Sequence, residues 1–242
     1  MKLQKLYSYV RQAVDTYQMI EGGDRIAIGV SGGKDSLTLL YALAGIRKFY
    51  PKQFTLMAIT VDLGFEDFQT EKIHALCEDL QIEYHVVKTE ISKIVFHNPN
   101  ESSPCALCAK MRKGALNNFA RESGCNKVAY AHHMDDIIET MFLSLFYEGR
   151  FYSFAPVTHL DKSNITVIRP LMYVPEANVI GFMHKMQLPV LKNPCPADGK
   201  TKREYIKQFV RKLNLENPGI KKRIFHAIET GNIEGWNAYE KR

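Results

Sequence analysis

A short Ser- and Gly-rich stretch, Ser31-Gly-Gly-Lys-Asp-Ser36, constrains this chain more than any other feature. It follows the apolar run 25–30, typical of a buried parallel strand, and precedes the apolar stretch 37–43, typical of a helix packed on that strand. A loop in this position directs backbone N–H groups and the positive end of a helix dipole at one point. Because glycine lacks a Cβ, an anion can approach that backbone closely. The pattern indicates a polyphosphate site; the alternative is an ordinary Gly/Ser turn.

Strand and helix patterns alternate along most of the chain. The predicted strands cover 25–30, 54–61, 83–88, 127–131 and 165–168, and the predicted helices cover about 3–18, 35–48, 67–80, 106–122, 134–147, 175–187, 201–213 and 218–230. This alternation predicts an α/β fold with a doubly wound parallel sheet and appended terminal helices. We expect an N-terminal helix over 1–23, the phosphate-loop domain over 24–170, and a basic helical subdomain over 171–242.

Length and composition narrow the class of protein. The 242 residues suffice for one α/β domain with appended helices. No segment approaches the roughly 18 consecutive apolar residues of a membrane span, and the N-terminus lacks the apolar core of a signal peptide, so we expect a cytoplasmic protein with no membrane partner. The net charge of +6 suits a nucleic-acid partner, although a merely solubilising surface gives the same value.

Polar residues follow two of the predicted strands, where a doubly wound sheet binds its ligands. Asp62 ends the second strand and is placed either to bind a ribose or adenine amino group or to stabilise a turn. His132-His-Met-Asp-Asp136 ends the fourth strand and opens an apolar helix. One carboxylate there is expected to cap the helix, while the second suits Mg²⁺ or proton transfer. One of the two histidines is expected to be structural.

Five cysteines in a cytoplasmic chain do not predict a disulfide framework. Cys77 lies in an amphipathic helix pattern and Cys125 at a turn, so both are expected in the core. Cys105 and Cys108 form a C-x-x-C pair, and Cys195 lies between two prolines far downstream. From their spacing alone, these thiols suit zinc completed by a histidine or Asp198, or a redox pair that carries persulfide.

The motifs together resemble the tRNA 2-thiocytidine synthetase family of PP-loop ATP pyrophosphatases. The stretch 31–36 fits the PP-loop pattern S-G-G-x-D-S, and 105–114 is close to C-x-x-C-x-x-x-R-R-G. The stretch 132–140 fits H-H-x-D-D-x-x-E-T, and Arg169-Pro-Leu171 matches as well. The chain departs from the pattern at Lys113, where arginine is usual, and after Cys195, where many relatives carry a second C-x-x-C.

The resemblance implies an enzyme that adenylates the C2 carbonyl of a tRNA base, cytidine of the anticodon loop being expected, and replaces the oxygen by sulfur. It implies ATP, Mg²⁺ held partly by Asp35, Asp135 or Asp136, and a [4Fe-4S] cluster on Cys105, Cys108 and Cys195. A sulfide or persulfide donor and a homodimer are also implied. The expected ATP-binding residues are Ser31, Gly32, Gly33, Lys34, Asp35, Ser36, Asp62, His132 and Asp135. The expected catalytic residues are Asp136, Arg112 and Asp35, with phosphate-backbone binding or solvation as the alternatives for Arg112.

Basic side chains on two predicted helices suggest an RNA-binding surface. The candidates are Lys110, Lys113, Lys202, Arg203 and Arg211. Five aromatic residues between 146 and 154 can stack on a splayed base, but burial in the core is the expectation for them. Other functions remain open. They are a carbon–nitrogen ligase like the lysidine synthetases, thiolation of uridine or of a small sulfur metabolite, and a non-enzymatic nucleotide or metal sensor.

Overall fold

The computed structural model describes residues 1–65, 69–96, 104–191, 195 and 201–236. The strands are β1 (Arg25–Gly29), β2 (Thr55–Asp62), β3 (Glu83–Lys88), β4 (Lys127–Ala129), β5 (Val157–Leu160) and β6 (Ile165–Ile168). The helices are α1 (Leu3–Thr16), α2 (Lys34–Ile46), α3 (Glu71–Asp79), α4 (Ile91–Phe96), α5 (Pro104–Glu122), α6 (Met134–Glu148), α7 (Glu176–Met186), α8 (Lys202–Glu216) and α9 (Ile220–Thr230).

The described strands form one sheet in the order β3-β2-β1-β4-β6-β5. All neighbouring pairs run parallel except β5 and β6, which form an antiparallel edge. The chain starts at the centre with β1, moves outward to β3, and returns across the centre to β4. This order confirms the predicted doubly wound fold, and it places the carboxyl ends of β1, β2 and β4 side by side.

The alternation of side chains along β1 separates two hydrophobic clusters. Ile26 and Ile28 belong to the cluster on one face of the sheet, and Ala27 belongs to the cluster on the other. The second cluster is completed by Leu116 and Ala120 of α5. Because successive strand residues point to opposite faces, an apolar run such as 25–30 needs helices on both sides. The structure supplies them.

The C-terminal helices add to the first of these clusters. Phe182 of α7, Val210 of α8 and Phe225 of α9 are buried in it together with residues of β1 and α2. Trp236, just beyond α9, is 1% exposed and also belongs to it. The division into three parts at 23 and 170 remains a prediction. No helix in the described part of the chain is long and apolar enough to cross a membrane.

Three local features differ from the sequence-based expectations. The short elements α4 and β5 were not predicted, because four to six residues carry too little periodicity to distinguish them from a loop. Pro104, predicted in a loop, is instead the first residue of α5. Proline is tolerated there because the first N–H groups of a helix have no intrahelical partner. The predicted start of α3 near 67 lies outside the described residues.

Candidate functional site

The phosphate loop between β1 and α2 is held by its own serines. The hydroxyl of Ser36 accepts from the backbone N–H of Ser31 at 3.2 Å and donates to the carbonyl of Gly33 at 2.9 Å. Gly33 is the N-cap residue of α2, and no side chain caps this helix. The first N–H groups of α2 are therefore available to an anion, at the positive end of the helix dipole.

Gly32 is required by both its conformation and its surroundings. Its φ of +79° lies in the left-handed region, where a Cβ is disfavoured. A Cβ there would stand 2.9 Å from Cδ1 of Leu191, whose N–H donates to the Gly32 carbonyl at 2.9 Å. Leu191 follows α7 and braces the loop from the C-terminal part of the chain. This contact had no signal in the sequence.

A cavity of about 410 Å³ opens at the carboxyl ends of β1, β2 and β4. One wall is the phosphate loop, and the opposite wall is formed by α5. Nine of the predicted site residues line it: Ser31, Gly33, Asp35, Ser36, Asp62, Arg112, Lys113, His132 and Asp136. The structure thus brings together residues that are up to about a hundred positions apart, at the edge where a doubly wound sheet binds ligands.

Asp62 makes the turn contact considered for it and also lines the cavity, so ligand binding by its carboxylate stays a prediction. Its carboxylate accepts from the N–H of Gly64 at 2.9 Å, which stabilises the turn after β2. The same residue lines the cavity beside the phosphate loop. A turn contact through one oxygen leaves the second carboxylate oxygen for a ligand hydroxyl or amino group.

A chain of ion pairs connects the phosphate loop to α7 and α8. Lys34 contacts Asp35 at 2.9 Å and Glu176 at 3.2 Å, and Lys207 contacts Glu176 at 2.7 Å. Burial opposes the charge on Glu176, but the hydrogen bond from Lys207 and the charges of both lysines lower its pKa to about 2. Glu176 is therefore ionised at neutral pH and holds the ammonium of Lys34 next to the loop.

His133 and Asp136 cap the N-terminus of α6. The ring of His133 accepts from the N–H of Asp136 at 3.3 Å, and the Asp136 carboxylate accepts from the N–H of His133 at 3.0 Å. His133 is 3% exposed, so it fits the expectation that one histidine of the pair is structural. Asp136 also lines the cavity, and Asp35 lies 3.5 Å from His133. The cap fixes the Asp136 carboxylate near the phosphate loop.

Asp135 points elsewhere, against the expectation that it binds ATP. It is 4% exposed, contacts Lys221 of α9 at 2.5 Å, and accepts from the N–H of Glu176 at 2.7 Å. It therefore joins α6 to α7 and α9. Of the two adjacent carboxylates, Asp136 both caps α6 and lines the cavity, whereas Asp135 links α6 to the C-terminal helices.

The ring of His132 is held between two neighbours. It stacks on Phe154 with ring centroids 4.1 Å apart, and its Nδ1 accepts from Nε of Arg169 at 3.2 Å. A guanidinium cannot accept a hydrogen bond, so Nδ1 carries the lone pair and the ring proton is on Nε2. Burial, together with the charges of Arg169 and Lys113, lowers the pKa of His132 well below its usual value. His132 is thus a neutral hydrogen-bond donor at the wall of the cavity.

Arg169 is the residue that fixes this arrangement. Only 8% of it is exposed, and its Nη1 donates to the carbonyl of Ala155 and to Oγ1 of Thr158. Burial lowers its pKa to about 10, so it remains protonated at neutral pH. Arg169 was predicted only as part of a motif match.

A second, smaller cavity of about 240 Å³ adjoins the first and shares Asp35 and Asp136 with it. Glu139 of α6 lies there, 5% exposed, with Arg203 of α8 at 3.5 Å. Burial and the charge of Asp136 raise the pKa of Glu139 to about 7, against the opposing charge of Arg203. Neither Glu139 nor its pairing with Arg203 was predicted.

The raised pKa of Glu139 predicts a pH-dependent stability. Between its ordinary pKa of 4.5 and about 7, the folded chain binds a proton that the unfolded chain has released, so stability falls as pH rises through that window. The full effect is at most about 3 kcal/mol. Urea unfolding at the two ends of the window, without added nucleotide or magnesium, measures it. The Glu139→Gln variant should lack this loss; an equal loss in the variant would assign it to another group.

Two of the three candidate cysteines lie at the start of α5, and both they and Cys195 influence the electrostatics of this region. Cys105 is exposed, and Cys108 and Cys195 are partly buried. Burial raises the pKa of Cys108, the charge of Arg112 opposes this, and the neighbouring Cys195 and Cys105 add to the rise. Within the described ranges, no three His, Cys, Asp or Glu side chains converge at metal-binding distance. The all-thiol donor set nevertheless fits the iron–sulfur chemistry better than a closed zinc site.

The helix α5 connects these cysteines to the cavity. Arg112 lies one turn beyond Cys108 on this helix and lines the cavity, as does Lys113. Partial burial and the charges of Arg169 and Arg112 lower the pKa of Lys113. Helix α5 and the phosphate loop therefore border the same cavity, and the C-x-x-C pair lies on the same helix as Arg112 and Lys113. Cys77 and Cys125, in contrast, are buried in the core as predicted.

The basic residues predicted to bind RNA have different surroundings. Lys110 and Arg211 are exposed on α5 and α8. Lys202 lies over the ring of Tyr147 at 4.4 Å. Arg203 faces the second cavity, where it contacts Glu139 and donates to Thr140 at 3.2 Å. Lys113 lines the first cavity. Lys113 and Arg203 thus border the cavities, whereas Lys110, Lys202 and Arg211 are exposed outside them; RNA binding by all five stays a prediction.

The expectation that the five aromatic residues between 146 and 154 are buried in the core is wrong for four of them, while Phe154 is partly buried. Phe146, Tyr147, Phe151 and Tyr152 are 48%, 46%, 74% and 38% exposed. Helix α6 ends at Gly149, which has a φ of +65°, and the chain then leaves the core before β5. Ser153 returns to the interior and donates to the carbonyl of Ile137.

Comparison with known proteins identifies the fold and the motifs as those of one family. The model of the PP-loop domain matches residues 4–214. The tRNA-cytidine(32) 2-sulfurtransferase of Geobacter metallireducens is 37% identical over 230 residues, which cover 94% of this chain and 90% of that protein. The protein of the same name from Geotalea uraniireducens is 39% identical over 227 residues, covering 93% and 90%.

A solved structure agrees. The U34-tRNA thiolase NcsA from Methanococcus maripaludis, with its [4Fe-4S] cluster, superposes with a TM-score of 0.74 at 25% identity, covering 92% of this chain and 76% of that one. The coverage in each comparison extends over the phosphate loop, α5 and α6. The chain therefore belongs to the tRNA-cytidine(32) 2-sulfurtransferase family of PP-loop enzymes.

Proposed function

We propose that this protein is an ATP-dependent tRNA-cytidine 2-sulfurtransferase that uses an iron–sulfur cluster. One observation carries the proposal: a single cavity has the phosphate loop on one wall and, on the other, the helix that bears the C-x-x-C pair. The names of the similar proteins supply the base and its position, cytidine 32. A polyphosphate site on this cavity, with the proposed thiol ligands on the helix that carries Arg112 into the cavity wall, suits activation followed by sulfur transfer.

The phosphates of ATP would bind at the N-terminus of α2. The open N–H groups of the loop, the Ser31 hydroxyl and the Lys34 ammonium supply donors and positive charge there. Asp62, at the end of β2, is the candidate for the ribose or the adenine amino group. Asp35 and Asp136 are the carboxylates that would hold Mg²⁺, since both line the two cavities, whereas Asp135 lines neither and is engaged with Lys221.

Activation joins the base to the nucleotide. The C2 carbonyl oxygen of cytidine attacks the α-phosphorus of ATP, the bond to the β-phosphate breaks, and pyrophosphate leaves. The adenylated oxygen later departs with AMP when sulfur takes its place on C2. Arg112 and the Nε2–H of His132 are placed to stabilise negative charge as it develops on phosphate oxygens. Asp136 is the candidate for proton transfer.

Cys105, Cys108 and Cys195 would hold the cluster. A cluster ligated by three cysteines supplies one iron that is free to bind an external sulfide. Arg112, whose charge reaches Cys108, would orient the activated base between the thiol set and the phosphate loop. The sulfur donor is proposed to be sulfide, or a protein persulfide whose outer sulfur is released as sulfide by a thiol reductant that becomes a disulfide, and the partner is tRNA.

The experiment that tests this function combines two readouts. Protein purified without oxygen is incubated with unmodified tRNA, ATP and sulfide, and the digested RNA is analysed by mass spectrometry. We expect 2-thiocytidine, together with one AMP and one pyrophosphate for each thionucleoside formed. In cells that lack the gene, 2-thiocytidine should disappear from tRNA. Loss of a thiouridine instead would move the target base, and no change in any thionucleoside would contradict the proposal.

A further inference from the structure

The segment 146–154 leaves the core with its aromatic side chains exposed. Phe151 is 74% exposed, and Phe146 and Tyr147 are about half exposed. Large exposed aromatic groups that cluster on one surface indicate a binding site rather than chance exposure. The segment is anchored at its start, because the ring of Phe146 packs on Phe142 and on Phe209 of α8, with ring centroids 5.5 and 5.6 Å apart.

Basic side chains lie over the rings of this segment. Nζ of Lys202 is 4.4 Å from the ring centre of Tyr147, and the guanidinium of Arg150 is 4.7 Å from that of Tyr152. Arg150 is also paired with Glu148 at 2.7 Å, so Lys202 provides the net positive charge at the exposed end. Rings for stacking next to cations for phosphates are the pattern used to bind single-stranded nucleic acid.

The segment also leads directly to the cavity. At its inner end, Phe154 stacks on His132, which lines the cavity. The charged groups of Lys113 and Arg169 lie over the ring of Phe154, at 5.8 and 5.3 Å from its centre. Along the chain, the segment therefore leads within three residues from the exposed Phe151 to Phe154, which packs on the wall of the proposed active site. A nucleotide chain with one base in the cavity would pass its neighbouring nucleotides over this surface.

We propose that segment 146–154, with Lys202, binds the unpaired nucleotides that flank the target base in the anticodon loop, with Phe151 as the principal stacking residue. This inference rests on the proposed function and adds the surface that selects a looped, single-stranded substrate. A second copy of the chain is the other candidate occupant. It is disfavoured because a symmetric contact would bring Lys202 and Arg150 of two copies towards each other.

The test measures binding of an anticodon stem–loop RNA with cytidine at position 32, and of the same RNA with its loop paired to a complementary oligonucleotide. The intact protein should prefer the open loop. Phe151→Ala should weaken binding of the open loop by about 5- to 100-fold and abolish the preference, because one stacking contact is lost. Phe151→Trp should retain both. Phe49→Ala removes a ring that is 51% exposed near α1 and serves as the matched control.

Salt dependence separates stacking from charge. Phe151→Ala should leave the slope of binding against salt concentration unchanged, whereas Lys202→Gln should reduce it by about one. Unchanged affinity in Phe151→Ala would overturn the inference. The inference would also be wrong if light scattering showed a dimer that dissociates in Phe151→Ala while RNA binding stays intact. If the unaltered protein forms 2-thiocytidine in either case, the proposed function stands and only this surface is wrong; if it neither binds nor thiolates tRNA, both fail.

Discussion

Replacing Cys105 by alanine is expected to abolish formation of the thionucleoside while ATP binding survives. Cys105 is exposed on the first turn of α5, so its loss removes a thiol ligand and little packing. The ATP phosphates are proposed to bind at α2, on the opposite wall of the cavity. Mass spectrometry of digested tRNA measures thiolation, and equilibrium binding of a labelled nucleotide measures the ATP site. Iron content and the visible absorption of the protein should fall together with thiolation.

Buried cysteines provide the control. Cys125→Ala also replaces a cysteine by alanine, but in the core. Cys125 is 4% exposed and is not among the residues that line the cavity. This variant should lose some stability, because a small cavity remains, and should still thiolate tRNA. If Cys105→Ala thiolated tRNA at the normal rate, the proposed ligand set of Cys105, Cys108 and Cys195 would be wrong. If both variants lost activity, the loss would reflect folding.

Arg169→Met is expected to slow AMP formation about 100-fold, the usual cost of removing one donor from a charge-stabilising site. The guanidinium holds Nδ1 of His132 as an acceptor at 3.2 Å and so keeps the proton on Nε2. Without it, the ring can move its proton to Nδ1 and present a lone pair to the cavity. A nitrogen lone pair repels an anionic oxygen, whereas the N–H group attracts it. Rapid-quench measurement of AMP on the tRNA substrate gives the rate.

A double-substitution cycle distinguishes this role from a loss of stability. His132→Gln supplies an amide N–H that needs no tautomer, so adding Arg169→Met in that background should cost less than about tenfold. Nitrogen-15 spectra of histidine-labelled protein provide a second readout. The signal of His132 is assigned as the one that is missing from the spectrum of His132→Gln. It should report the Nε2–H tautomer in the unaltered protein and a mixture of the two tautomers in Arg169→Met. Equal costs of Arg169→Met in both backgrounds would show that Arg169 acts only on the fold.

The strongest predictions from sequence rested on local patterns. A Ser/Gly loop between an apolar strand and an apolar helix leaves few geometries open, so the phosphate loop and its anion site were predictable from 25–43 alone. The doubly wound sheet followed because buried parallel strands need helices on both faces. The same reasoning placed Asp62 and His132 at the edge of the sheet with the loop. The burial of Cys77 and Cys125 was predicted from helix and turn patterns.

The failures have a shared physical cause. Adjacent helix residues point about 100° apart, so Asp135 and Asp136 leave α6 in different directions, and the local sequence does not say which of them faces the cavity. The aromatic segment was expected in the core because hydrophobicity alone does not distinguish a buried ring from an exposed binding surface. Nothing local indicated that the chain leaves the core after Gly149.

The sequence by itself determined the phosphate loop, the class of sheet around it, and a C-x-x-C pair one helical turn before Arg112. These depend on residues close in the chain, where spacing fixes geometry. Only the tertiary structure decided that Asp136 faces the cavity while Asp135 binds Lys221, that Glu176 holds Lys34, and that Arg169 fixes His132. These partners lie 37 to 142 positions apart or on different helices, and their pairing depends on the phase and packing of each helix, which no local pattern encodes.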